Sequence, residues 1–202
     1  MCNKMQFKEF KKKMKKNIFS KTEAQLVAFE TSPEVLKLQL HQWVKSGDLI
    51  SLKKGLYIFS DVQINKVEIA KYLYFPSYIS LEYALNIYGI IPDVPFSMTM
   101  VTTKTSRSFN TPFGQFIYHK IKREAFFGFD TVTLIAEKEK ALLDYLYFNT
   151  KYFVPDFKFW KEQRIQNLNE VDFLKAYSFL EKFNIKKLTI LLRSLEDYAA
   201  TI

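Results

Sequence analysis

With 202 residues the chain has room for one large domain or two small ones, and a hydrophobic share of 48% is enough to build a core. Five Gly and six Pro leave little for a flexible linker or a disordered tail, and no apolar run approaches the ~18 residues that a membrane span needs. The net charge of +9 is uneven: residues 1–60 hold twelve Lys against five acids, a net +7, whereas residues 61–202 hold eighteen Lys or Arg against sixteen acids, a net +2.

A basic excess concentrated on one small region is the electrostatic footprint of a polyanion-binding domain, nucleic acid first. Acidic lipid is the rival, through an amphipathic helix carrying Phe7, Phe10 and Met14. The Lys-rich start has no apolar core of the kind a secretory signal carries. The single Cys2 cannot form an internal disulfide. Together these features lead us to expect a cytoplasmic protein with no membrane partner.

The spacing of Phe7, Phe10, Met14 and Ile18 predicts a helix from Lys4 to Ser20, with Lys8, Lys11, Lys12, Lys15 and Lys16 on its other faces. Ser20 or Thr22 can cap a second helix through Ala28. Ser32-Pro33 starts a third, the hydroxyl as N-cap and the proline where its missing N–H costs nothing. On that helix Leu36, Leu40, Trp43 and Val44 share a stripe, while Glu34, Lys37, Leu38, His41, Gln42 and Lys45 take the opposite face. Gly47 ends it. Leu49–Leu52 and Leu56–Phe59, either side of Lys53-Lys54-Gly55, predict a β-hairpin with a basic turn.

Helix, turn, helix and basic hairpin together are the sequence shape of a winged helix-turn-helix, predicted for residues 1–60. The expected DNA-binding residues are Lys21, Thr22, Ser32, Glu34, Lys37, Leu38, His41, Gln42, Lys45, Lys53 and Lys54. A winged helix used only for protein contacts is the alternative.

From Asp61 the texture changes. Val67–Leu73 predicts a short helix ended by Pro76, and Ser80 caps another through Tyr88. Strands are expected at 96–102, Arg107–Asn110, Phe113–Ile121 and Val132–Ala136. Glu137–Asn149 returns to helical period, and 170–183 and 185–200 predict a helical hairpin joined near Asn184. Residues 61–202 are therefore expected to form an α+β domain with a small antiparallel sheet and a helical C-terminus. Lys104, Arg107, Lys120, Lys122 and Arg123 fall on adjacent predicted strands and form a candidate second basic surface, suited to an acidic partner or RNA.

Nothing in the residues points to catalysis. His41 and His119 are far apart, one Cys and two His give no zinc spacing, and no phosphate-cradling Gly-rich loop occurs. No cofactor or metal is expected. Asp144, inside an otherwise apolar helix, calls for a buried Lys or Arg partner. Tyr72, Tyr74, Phe75 and Tyr78 could stack on single-stranded bases but read first as core between the two domains, and Phe126-Phe127-Gly128-Phe129 as core or a partner surface.

Lys53-Lys54-Gly55-Leu56-Tyr57, Pro76–Leu85, Tyr88-Gly89-Ile90-Ile91-Pro92, Val101-Thr102-Thr103, Thr111-Pro112-Phe113-Gly114 and Glu139–Asp144, in this order, resemble the AbiEi antitoxin family of abortive-infection type IV toxin–antitoxin systems. The resemblance covers about residues 4–150. It implies an N-terminal domain that binds operator repeats in its own promoter. It also implies a C-terminal domain that counters a nucleotidyltransferase-like toxin without a stable complex; the clustering of Lys104, Arg107, Lys120, Lys122 and Arg123 on adjacent predicted strands makes them the candidate antitoxin surface. A stand-alone regulator with no toxin is the alternative.

Overall fold

The computed structural model describes residues 4–201, and Cys2 lies outside them. The architecture is mixed α+β: a three-stranded antiparallel sheet, a four-stranded mixed sheet and a helical C-terminal region. The chain divides into two compact units. One comprises the residues up to Leu73 together with Phe109–Phe113, the other Tyr74–Ser108 and the residues from Gly114 onward.

In the first unit α1 (Phe7–Lys13), α2 (Lys21–Val27), α3 (Pro33–Lys45) and α4 (Lys66–Leu73) accompany β1 (Ile18–Ser20), β2 (Leu49–Lys53) and β3 (Leu56–Phe59). The long first helix expected from 4 to 20 is split. It ends at Lys13, and Ile18–Ser20 pair with Leu56–Ile58 as an edge strand, giving the order β1-β3-β2. The apolar residues Phe10, Met14 and Ile18 still all point inward, so the period was sound but spanned two elements. The unit's core is aromatic: Phe10 packs against Phe19 and Trp43 with ring centroids 5.4 and 4.9 Å apart, and Phe59 stands 5.2 Å from Phe19.

The second unit holds β4 (Ser77–Ile79), α5 (Leu81–Ile87), β5 (Met98–Thr102) and β7 (Gly114–Lys120). It continues through α6 (Lys138–Phe148), α7 (Phe157–Glu162), α8 (Phe173–Leu180) and α9 (Lys186–Ala199). With β6 (Arg107–Thr111) at the edge, the sheet order is β4-β5-β7-β6. The expected antiparallel sheet is corrected here: β4 and β5 are antiparallel, but β5 and β7 run parallel, Met98 opposite Phe116 and Thr102 opposite Lys120. Because β6 takes the edge, the chain returns through β7 in the direction it left along β5.

The strand expected at 132–136 is a turn. The Asp130 carboxylate accepts the N–H groups of Val132 and Thr133 at 3.0 and 2.6 Å, and Leu134 has φ +58°. The last two residues of that stretch make isolated bridges, Ile135 parallel to Ile79 and Ala136 antiparallel to Phe129. Helix α6 is buried over Glu139–Leu146 and packs against α5, α8 and α9, which makes it the centre of the unit rather than one amphipathic layer of it. Trp160 of α7, fully buried, donates its indole N–H to Ser194 Oγ on α9 at 2.9 Å.

Candidate nucleic-acid interface

Two short polar caps set the helices that carry the first set of candidate residues. Ser20 accepts the Glu23 N–H at 3.1 Å, and the Glu23 carboxylate accepts the Ser20 N–H at 2.8 Å, a reciprocal box that fixes the start of α2. Lys16 also donates to Glu23 at 2.6 Å, and this bond, with the Ser20 N–H, holds the Glu23 carboxyl below its ordinary range. Ser32 caps α3 and Pro33 occupies its first turn.

Helix α3 is cleanly two-sided. Leu36, Gln39, Leu40 and Trp43 are buried; Glu34, Lys37, Leu38, His41, Gln42 and Lys45 are all exposed. At 100° per residue the exposed six fall within one arc on the far side from the buried four. Buried Gln39 ties the helix to the chain start by donating to the Met5 carbonyl at 2.6 Å.

The hairpin turn is brought to the first turn of α2. Lys21 donates its N–H to the Gly55 carbonyl at 2.8 Å, so exposed Lys21 and Thr22 lie by exposed Lys54. Gly55 has φ +78°, the left-handed conformation the two-residue turn demands. Lys53 is placed differently from its neighbour. It is half-buried, its ammonium bonds the Leu73 carbonyl and stands 5.3 Å from the centre of the Phe109 ring. Of the two turn lysines, Lys54 is the one directed to solvent.

In the second unit the other five candidates gather at one end of the sheet. Lys104, Arg107, Lys120 and Arg123 are exposed and Lys122 half-buried. Lys104 and Arg107 lie over the Tyr74 ring at 5.4 and 5.7 Å, and Lys120 donates its N–H to Ser106 Oγ at 2.9 Å. His119, packed 5.2 Å from the Phe148 ring, is held below the ordinary histidine range by burial.

A third constellation was only half visible in the sequence. Asp144 has its basic partner in Lys140, one helical turn away, and both are fully buried. Tyr78 and Ser80 each donate a hydroxyl to the second Asp144 oxygen at 2.8 Å, and Lys140 donates to the Tyr78 oxygen at 2.7 Å. Burial pushes Asp144 up and Lys140 down; each partner opposes the other's shift. Ser80 stands at the N-cap of α5, but its hydroxyl is spent on Asp144 rather than on the helix.

Rings of Tyr78, Phe127 and Phe183 lie 5.1, 5.2 and 5.0 Å from the Lys140 nitrogen. Gly128, at φ +70°, passes so near that an added Cβ would stand 3.0 Å from the Lys140 stem. Serine, tyrosine, lysine and aspartate in bonding contact resemble a proton-transfer site. All four are at 0% exposure, and the cluster ties β4, the start of α5 and α6 together. Only Asp144, inside an otherwise apolar helix, signalled it in the sequence.

Among the described residues no group of three or more His, Cys, Asp or Glu is placed to hold a metal ion, and no helix is long and apolar enough to cross a membrane. No protein-family model matches the chain, and no curated protein is significantly similar to it.

Proposed function

We propose that the chain is a sequence-specific DNA-binding repressor of its own operon, and that it is also the antitoxin of a type IV toxin–antitoxin pair. The first unit is read as a winged helix-turn-helix: α2 and α3 form the helical pair and β2–β3 the wing. The observation that carries this reading is the exposed face of α3, where Lys37, His41, Gln42 and Lys45 align, with Lys21 and Lys54 beside each other at the hairpin turn. In this arrangement α3 enters the major groove and the hairpin turn meets phosphate. The antitoxin half rests on the order of sequence motifs given above, and its partner is a nucleotidyltransferase-like toxin acting in the same cytoplasm.

The exposed Leu26 and Phe29, 72% and 74% accessible, favour a second reading in which the same unit docks on a protein. Titration of labelled promoter fragment against a scrambled duplex decides between them. Neutralising about 5 phosphates predicts a slope of log K on log salt near −4.5 and a preference for the promoter. Equal affinity for both duplexes, or a flat salt response, overturns the repressor reading. Growth rescue on co-expression with the product of a neighbouring nucleotidyltransferase-like gene tests the antitoxin half; loss of rescue overturns it.

A further inference from the structure

The net positive charge of the C-terminal part lies in one strip. The thirty residues from Val94 to Arg123 carry five Lys or Arg and no acid, whereas the rest of 61–202 carries thirteen basic residues against sixteen acids. The topology delivers that strip to one end of the sheet. Ser77 of β4, Thr102 of β5 and Lys120 of β7 form a single row across three strands, and the parallel β5 and β7 release their following loops on the same side. Lys104 and Arg107 follow one strand end; Lys120, Lys122 and Arg123 follow the other, and Glu124 closes the strip.

The same row opens into an aromatic groove. Phe75, Pro76, Ser77, Phe126, Phe129 and Leu134 line a volume of about 220 Å³. This is below the ~300–1,000 Å³ of sites for drug-sized ligands and suits a single planar ring system. Phe75, 66% exposed, presents its ring at the open side of this groove. The opposite wall is rigid, since Phe129 is stacked on Tyr78 at 4.5 Å with planes 10° apart and Phe126 leans on both. Groove and strip are joined covalently and by contact: Tyr74, next to Phe75, lies under Lys104 and Arg107, and Thr102 donates its hydroxyl to the Pro76 carbonyl at 2.6 Å.

A row of cations beside an accessible aromatic groove, one ring exposed and two half-buried, is what a single-stranded nucleic acid requires, phosphates on the cations and a base between the rings. An acidic protein would use the charges and leave the aromatic groove empty. A duplex keeps its bases stacked and could not fill the groove. We propose that this end of the second unit binds single-stranded nucleic acid, with one unstacked base held in the Phe75–Phe126–Phe129 groove and the backbone along Lys104, Arg107, Lys120, Lys122 and Arg123. This goes beyond the repressor reading, which concerns duplex DNA and the first unit.

The test is fluorescence anisotropy with the full chain against 12-nucleotide oligo-U, oligo-dT and a duplex of no operator sequence, with polyglutamate as competitor. Engagement of five phosphates on a single strand predicts a salt slope near −3.5. Lys104, Arg107, Lys120, Lys122 and Arg123 all replaced by Gln should weaken single-strand binding at least tenfold and flatten that slope. Phe75→Ala should weaken it roughly 5- to 100-fold with the slope unchanged; because the ring is exposed, the variant keeps its fold, as circular dichroism checks. Tighter binding of oligo-U than oligo-dT assigns the ligand as RNA, and equal binding assigns the shared backbone and base. Wild-type affinity in either variant, or displacement by polyglutamate at equal charge concentration, overturns the proposal. Operator binding lost on α3 substitution with single-strand binding retained keeps the two claims apart.

Discussion

Lys140 shows how much one residue can hold. Its ammonium is fully buried against Asp144 and enclosed by three rings, and Asp144 in turn takes hydroxyl bonds from β4 and from the start of α5. Removing one member leaves the other as an uncompensated buried charge, whereas removing both leaves apolar surroundings that can close. Lys140→Met is therefore expected to lower unfolding free energy by about 3–5 kcal/mol in urea titration, and Lys140→Met with Asp144→Leu to recover most of it. Equal losses in the single and double variants would mean that packing, not charge, is what the pair supplies. That Asp144 needs a buried basic partner was legible in the sequence. The two hydroxyls were not, because Tyr78 and Ser80 lie more than sixty residues away in the chain and only the fold delivers them.

At the scale of elements, α3 was the most legible part of the chain. Its cap, its first-turn proline, its apolar stripe and its terminal glycine agree with one another, and the structure places each as expected. β1 and β4 were missed for a plain reason: three residues are too few for a period of two to show. The false strand at 132–136 has β-branched residues, yet one aspartate claims two of its N–H groups and turns the chain. Tyr78 was grouped with Phe75 as core, and the structure separates them into a buried ring and an exposed one.

The hairpin turn yields a prediction that the sequence had blurred. Because Lys53 is tied to the Leu73 carbonyl and Lys54 is exposed, Lys54→Ala should weaken operator and random duplex alike and reduce the salt slope by about 1. Gln42→Ala should instead cost about 1–3 kcal/mol on the operator alone. Competition binding with operator variants separates the two; a uniform loss from Gln42→Ala would show that α3 reads no base.

For the whole molecule, the division into two compact units with the basic excess mostly on the first argues that the two proposed activities, DNA binding and toxin neutralisation, separate. Replacing Lys37, His41 and Gln42 together by Ala should abolish repression of a promoter reporter while growth rescue against the toxin persists. These side chains are exposed, so the fold is not at stake. Rescue lost together with repression would show that neutralisation requires the DNA-binding face.

The passage of Gly128 against the Lys140 stem links two positions that are twelve apart in the chain, one in the loop before α6 and one within it. Their histories should therefore be joined. A sequence drifting away from glycine at 128 meets both a left-handed backbone and a filled space, and can accept the change only after position 140 has shortened. Shortening 140 strands the charge on 144 unless that residue changes as well. Across divergent descendants these three sites are expected to be replaced as a set, in a fixed order with 144 and 140 before 128, and a descendant with a side chain at 128 and lysine still at 140 should be found rarely, if at all.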